Sequence, residues 1–304
     1  MVVGRSTTPS SPLVAEGWRE GTVQKPLEFV SSQKCFDGEQ RYYRHDSAII
    51  GLPMRFAAYL PPQALRGERC ATLFYLAGLT CTEETFVIKA GAQGIAAELG
   101  LIVVTPDTSP RDANNAGEAD SWDFGLAAGF YIDATQAPWS RHYRMYSYIV
   151  EELRTLVCAQ LPVNAGRLGI FGHSMGGHGA LTIALKNPDF FKSVSAFAPI
   201  TSPMRCPWGE KAFTGYLGTD RAAWRQYDAT ALIEDRGWKG PSILVDQGSA
   251  DRFLDDQLKP QLLSEACAKA GVPLQLRLCD GYDHGYHFIS TFMEDHLRFH
   301  ARAL

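Results

Sequence analysis

The pentapeptide Gly172-His173-Ser174-Met175-Gly176 constrains this chain more than any other stretch. It has the form G-x-S-x-G. Arg167-Leu168-Gly169-Ile170-Phe171, short and apolar, precedes it like a buried strand. Gly177-His178-Gly179-Ala180-Leu181-Thr182-Ile183-Ala184-Leu185 follows it with helical composition apart from its glycines. Strand, sharp turn and helix together are the context in which this motif holds a serine at the apex of a strained backbone. Glycines, lacking Cβ atoms, let the strand and helix approach closely. The serine oxygen then stands clear, and the first amides of the helix point at whatever it attacks. A bare G-x-S-x-G also describes a glycine-rich structural turn; the flanking elements favour a nucleophile.

The rest of the chain is compatible with a globular enzyme. At 304 residues, with 45% apolar and 20% charged residues, it has material for one large α/β domain or two small ones. A net charge of -4 gives no reason to expect nucleic acid or an anionic membrane as partner. No apolar run approaches the ~18 residues of a membrane span. The seven cysteines are odd in number and scattered, without C-x-x-C, which argues against a disulfide framework and a zinc knuckle and for a reducing compartment, the cytoplasm by default. Residues 1–26 hold Ser, Thr, Pro and Gly with few large apolar groups and no apolar core of a secretory signal, so they are expected to form a flexible arm.

From Leu27 the texture changes. Leu27-Glu28-Phe29-Val30, Ala48-Ile49-Ile50 and Met54-Arg55-Phe56-Ala57-Ala58-Tyr59-Leu60 read as early strands, and short turns between them predict an antiparallel start to a sheet. Thr72-Leu73-Phe74-Tyr75-Leu76-Ala77 and Leu101-Ile102-Val103-Val104-Thr105-Pro106 read as buried strands around a helix over 86–99. Residues 107–140 form a long Asp-, Gly- and aromatic-rich excursion; loops of that length in compact domains are functional or disordered, and the aromatic content favours function. An amphipathic helix over 146–161 precedes the serine strand. Further strands fall at Ser193-Val194-Ser195-Ala196-Phe197-Ala198, Ser242-Ile243-Leu244-Val245-Asp246 and Leu274-Gln275-Leu276-Arg277-Leu278-Cys279. A second irregular excursion spans 199–228, and helices lie over 257–271 and 288–303. Alternating strands and helices imply parallel pairing, so 27–304 is expected to be one three-layered α/β domain.

A serine hydroxyl needs a base, and histidine suits that role near neutrality. In α/β-hydrolases the partners follow in the order Ser, Asp or Glu, His, from loops at the carboxyl ends of later strands. After the strand ending at Asp246 comes Gln247-Gly248-Ser249-Ala250-Asp251, and Asp251 at the loop tip is favoured over Asp246 at the strand end. After the last strand comes Asp280-Gly281-Tyr282-Asp283-His284-Gly285-Tyr286-His287, and His284 in the glycine-flanked loop is favoured over His287. His173 and His178 sit too near the serine to serve as its base and read as packing groups, whereas His296 and His300 fall on the closing helix. The oxyanion hole is expected from the amides of Met175 and of Leu79, the latter in Gly78-Leu79-Thr80 after the earlier central strand. Cys81 would sit beside the site, either as a small buried hydrophobe or as a thiol whose modification blocks the pocket. No G-x-G-x-x-G follows the first strand–helix turn, which weighs against a dinucleotide-binding dehydrogenase.

With these residues in place the chain resembles the S-formylglutathione hydrolase (esterase D) family over 27–304. The resemblance rests on ordered blocks: Ser31-Ser32-Gln33-Lys34-Cys35-Phe36; Gly78-Leu79-Thr80-Cys81-Thr82-Glu83; Ser121-Trp122-Asp123-Phe124-Gly125 with Ala128-Gly129-Phe130-Tyr131-Ile132-Asp133-Ala134; Gly172 through Ala180; Cys206-Pro207-Trp208-Gly209; and Gly281-Tyr282-Asp283-His284. It implies an α/β-hydrolase fold with a mostly parallel sheet, helices on both faces and antiparallel N-terminal strands. It also implies a triad of Ser174, Asp251 and His284, hydrolysis of S-formylglutathione to glutathione and formate, no cofactor or metal, and a homodimer. A tight acyl pocket walled by Trp122, Phe124 and Trp208 would suit a formyl group, although core packing is the plainer role for such aromatics. Two departures fall near that pocket: the family's usual Asn is replaced within Pro199-Ile200-Thr201-Ser202-Pro203, and Gly285 and His287 stand where Ser and Tyr are more usual. A general short-chain carboxylesterase would use the same triad, and a catalytically silent binding module would be expected to have lost part of it.

Overall fold

A computed structural model describes residues 27–304; the arm expected over 1–26 lies outside the described residues. Nine strands form one sheet in the order β1-β2-β3-β5-β4-β6-β7-β8-β9. They are β1 Glu28–Cys35, β2 Gly38–Asp46, β3 Pro53–Leu60, β4 Cys70–Leu76, β5 Leu101–Pro106, β6 Val163–His173, β7 Phe191–Phe197, β8 Ile243–Gly248 and β9 Leu274–Cys279. Pairing is antiparallel through β1, β2, β3 and β5, and parallel across β5, β4, β6, β7, β8 and β9. Every residue of β4 and β5 is buried, which is why those strands read as unbroken apolar runs.

Eight helices of seven residues or more accompany the sheet among the described residues: α1 Glu83–Lys89, α2 Gln93–Leu99, α3 Arg154–Gln160, α4 Met175–Lys186, α5 Pro207–Leu217, α6 Ala229–Arg236, α7 Pro260–Ala270 and α8 Tyr286–Ala303. Alternation along β7 puts α4 and α8 on opposite faces. Phe197 stacks on His296 and meets Phe288 of α8 edge-on, while a Cβ on Gly177 of α4 would meet Ala196 on the other side. Phe288 and Leu297 on the inner stripe of α8 are fully buried, each contributing roughly 1.5–3 kcal/mol.

Four sequence expectations need correcting. Ala48-Ile49-Ile50 is a turn, because the Glu152 carboxylate accepts from the Ala48 amide (2.7 Å), the Ile49 amide (3.2 Å) and the Ser47 hydroxyl. The second strand lies earlier, in the polar Gly38–Asp46 segment, whose two-faced composition carries little apolar signal. The helix expected over 86–99 is two helices: Gly91, at φ 67°, breaks it. The excursion over 199–228 contains α5, whose glycines weakened its helical signature. Gly209 is needed there, since a Cβ would fall 2.1 Å from the Pro203 carbonyl oxygen. The 146–161 helix is present, but its Tyr148–Leu153 turn is π-helical before α3 begins.

Candidate active site

The site lies at the carboxyl ends of β4, β6, β8 and β9. Ser174 follows β6 and begins α4 with φ 57° and ψ -117°, a conformation that L-residues rarely adopt. The neighbouring glycines allow it. A Cβ on Gly176 would lie 1.9 Å from the Leu76 carbonyl oxygen, and one on Gly172 would lie 2.3 Å from that of Gly176. The turn is therefore pressed against the end of β4, where Leu76 pairs with Gly172. Backbone bonds brace it: the Ser174 amide donates to the Phe197 carbonyl (3.0 Å), and the Ser174 carbonyl accepts from His178 (3.0 Å) and Ile200 (3.3 Å).

His284 Nε2 lies 2.9 Å from Ser174 Oγ, and His284 Nδ1 lies 2.6 Å from Asp251 Oδ2. The carboxylate partner assigns the imidazole proton to Nδ1, leaving Nε2 to accept from the serine hydroxyl. Asp251 is held in turn by the Phe253 amide (2.9 Å) and the Gln247 side-chain amide (3.2 Å). Its side chain is fully buried, while that of His284 keeps 18% exposure. Asp246 faces elsewhere, ion-paired to Arg277 and beside His296, and His287 is exposed on the first turn of α8.

Met175 supplies the first amide of α4, among the amides that a helix leaves without intrahelical acceptors. Leu79 lines the same cavity. The amides on either side of it are engaged, Thr80 by the Ala127 carbonyl and Cys81 by that of Gly78, whereas that of Leu79 has no acceptor among the described residues. Thr80 adopts φ 68°, so this turn is strained as well. The Tyr131 hydroxyl donates to the Ala77 carbonyl (2.9 Å) and ties the long 107–140 excursion to the turn. His173 and His178 are buried. Burial, then the neighbouring His284, holds His173 well below the ordinary histidine range; burial pushes His178 down to about 4 despite its bond to the Phe130 carbonyl. Both are neutral near pH 7, so neither adds charge beside His284.

A cavity of about 320 Å³ opens over Ser174 and His284, walled by Leu79, Cys81, Trp122, Trp208, Phe253 and Tyr286 and reached by Thr85 and Lys89. Cys81, Trp122 and Trp208 thus come together at the serine. Phe124 does not: it stacks on Tyr216 and meets Trp139 edge-on, in the packing role open to it from sequence. Burial raises the Cys81 thiol above its usual range, partly offset by Tyr286, Thr85 and Lys89, so it faces the cavity as a protonated thiol. Lys89, Phe253 and Tyr286 escaped the sequence reading. Phe253 and Tyr286 each stand two residues beyond Asp251 and His284, an adjacency that could have flagged them; Lys89 is brought in only by α1 folding back over the Leu79 turn.

These features match what comparison with known proteins returns. The esterase family model, described as "Putative esterase", matches residues 47–299. The chain is 53% identical to S-formylglutathione hydrolase of Rattus norvegicus, over 91% of this chain and 99% of that protein. It is 52% identical to the enzyme of the same name from Arabidopsis thaliana, over 91% and 98%. A solved S-formylglutathione hydrolase from Agrobacterium tumefaciens superimposes with a TM-score of 0.87 at 50% identity, covering 91% of this chain and 99% of that one. The family-model match over 47–299, and identity of 50–53% over nine-tenths of the chain to relatives from an animal, a plant and a bacterium, place the chain in the S-formylglutathione hydrolase family of esterases.

Proposed function

We infer that this enzyme hydrolyses S-formylglutathione to glutathione and formate with Ser174 as nucleophile, His284 as base and Asp251 as the group orienting the histidine. The observation carrying this reading is the bonded series Asp251–His284–Ser174, at 2.6 and 2.9 Å, on the floor of an accessible cavity. His284 Nε2 takes the Ser174 proton as Oγ attacks the thioester carbonyl carbon. The oxyanion is held by the amides of Met175 and Leu79. The C–S bond breaks as the imidazolium returns its proton to sulfur, releasing glutathione and leaving formyl-Ser174. Water, deprotonated by His284, then attacks the formyl carbon; formate leaves and the serine is restored.

The same proposal takes 27–304 as one domain built on its single sheet and reads the enzyme as a homodimer. It also places the enzyme in the cytoplasm, a reading supported by seven free thiols. No helix among the described residues is long and apolar enough to cross a membrane. Steady-state hydrolysis of S-formylglutathione beside p-nitrophenyl acetate, for the wild type and Ser174→Ala, tests the catalytic assignment. The formyl thioester should be the better substrate, and the variant should lose roughly 10⁶ in kcat, as other serine hydrolases do on losing their nucleophile. Preference for the ester would make the enzyme a general carboxylesterase, and retained activity would displace Ser174 from its role.

A further inference from the structure

The cavity over Ser174 is much larger than a formyl group needs. At about 320 Å³ it is at the lower end of sites that enclose whole small ligands, so most of its space is available to the thiol half of the substrate. Its wall is nearly neutral. Among the residues lining it, Lys89 is the one lysine or arginine, and no aspartate or glutamate accompanies it.

Lys89 ends α1, the helix that follows the Leu79 turn directly. Its Nζ lies 5.8 Å from the centre of the Tyr286 ring, two residues beyond His284, so the ammonium is drawn toward the wall of the site by the ring's negative face. Among the described residues no carboxylate lies within ion-pairing distance of it. Lys211, which reaches the residues on either side of Trp122, is already engaged by Asp123 and by the Ser121 hydroxyl (2.6 Å). Arg252 lies over Phe253, with its guanidinium carbon 4.6 Å from the ring centre, but does not line the cavity. A cation without a protein counter-ion, at the edge of an otherwise uncharged pocket, is electrostatically complementary to an anionic leaving group.

We propose that Lys89 is the specificity determinant that holds a carboxylate of the glutathione moiety. The proposal rests on the glutathione thioester reading above. In glutathione the γ-glutamyl carboxylate carries its own ammonium neighbour, whereas the glycyl carboxylate has none. The glycyl end is therefore the group whose charge Lys89 answers. This contact is present before and during acyl transfer alike, so it lowers KM more than it raises kcat. Tyr286 and the apolar rings on the other walls orient the peptide without adding charge.

The test compares kcat/KM for S-formylglutathione with that for S-formyl-N-acetylcysteamine, a formyl thioester lacking both carboxylates, in the wild type, Lys89→Ala, Lys89→Arg and Arg252→Ala. The ratio of the two should fall about tenfold in Lys89→Ala, between the effect of an exposed ion pair and that of a charged hydrogen bond, mostly through KM for S-formylglutathione. Lys89→Arg should restore most of the ratio, and added salt should erode it in the wild type. An unchanged ratio in Lys89→Ala, including one reached by equal losses on both substrates, overturns the proposal, as does an equal fall in Arg252→Ala. A wild type that handles both thioesters alike would overturn the glutathione reading itself and the anchor with it; that failure shows in the wild type, before any variant is compared.

Discussion

Two constellations of serine, histidine and aspartate occupy this molecule, and they differ in almost everything but composition. In the first, Ser174, His284 and Asp251 meet at the carboxyl ends of β6, β9 and β8. In the second, the Arg277 guanidinium pairs with both oxygens of Asp246 (2.6 and 2.5 Å), and His296 Nε2 lies 3.3 Å from that carboxylate. His296 therefore carries its proton on Nε2 and accepts from Ser195 through Nδ1 (2.8 Å). Ser195 in turn accepts from His300 Nε2 (2.8 Å), and His300 Nδ1 accepts from Ser193 (2.6 Å). The direction of every bond follows from the anion at one end.

Asp246, His296, His300, Ser193 and Ser195 are fully buried between β7, β8 and α8, with Arg277 half-buried at the open end, and the serines sit within an ordinary strand. Each hydroxyl has its acceptor, is fully closed off from solvent and lies mid-strand, where no helix begins. Ser174 has a strained backbone, two neighbouring amides without intrahelical or loop acceptors and, in His284, an imidazole partner that keeps contact with solvent. On the proposed reading a nucleophile is made by access and preorganised amides, and the residue trio alone makes a structural clamp. Electrostatics diverge in the same way. Burial alone would raise the Asp246 carboxyl, but bonds from His296 and Arg277 more than offset this and hold it below its usual range. Burial, with His296 adding, pushes His300 down to about 3, and burial likewise lowers His296.

The sharpest way to break this contrast is chemical. A fluorophosphonate should label Ser174 and leave Ser193 and Ser195 untouched, as peptide mass spectrometry would reveal; labelling on β7 would end the distinction. Asp251→Asn should lower kcat by about 10⁴, as loss of the correct histidine tautomer does in other triads. Asp246→Asn should act on stability instead, by roughly 3–5 kcal/mol, because Arg277 and His296 lose a buried partner. Calorimetry and kinetics on the two variants separate these effects, and a large kcat loss in a folded Asp246→Asn would contradict the clamp.

Acid should act on the clamp by a smaller, graded amount. In the unfolded chain a histidine gains its proton near pH 6.5, but folded His300 gains one only near 3. The unfolded state thus binds more protons through that window, and stability present above about 6.5 is lost as pH falls toward 3. The slope should reach about 1.4 kcal/mol per pH unit for each such histidine. Melting temperatures between pH 7.5 and 5 measure it, and His300→Gln should flatten the curve; an identical slope in that variant would remove His300 from the account. The smallest effect belongs to the cavity rim. Trp122 is 55% exposed and edge-on to Trp208, so Trp122→Ala should raise KM only a few-fold with little change in melting temperature, as kinetics and calorimetry on that variant would establish.

Much of this was legible before folding. Uninterrupted apolar runs mark β4 and β5 because both faces of those strands are covered, and G-x-S-x-G marks the turn because steric contact at Gly172 and Gly176 admits no side chain. The loop positions of Asp251 and His284 follow from where strands end. Less legible were elements whose stability comes from partners distant in sequence. The 48–50 turn exists because Glu152 reaches back to it, and polar β2 exists because β1 and β3 flank it.

Local sequence, then, determined the strand–turn–helix, the order of the candidate triad and the family to which they belong, since each rests on sterics or chemistry within a few residues. Tertiary structure alone decided that Asp246 is held by Arg277 beside His296, that Phe124 packs in an aromatic cluster while Trp122 faces the serine, and that Lys89 stands as the cation on the cavity wall. Those outcomes depend on how separate elements cross in space, and pairing across the sheet is a property of the whole fold that no local window of sequence contains.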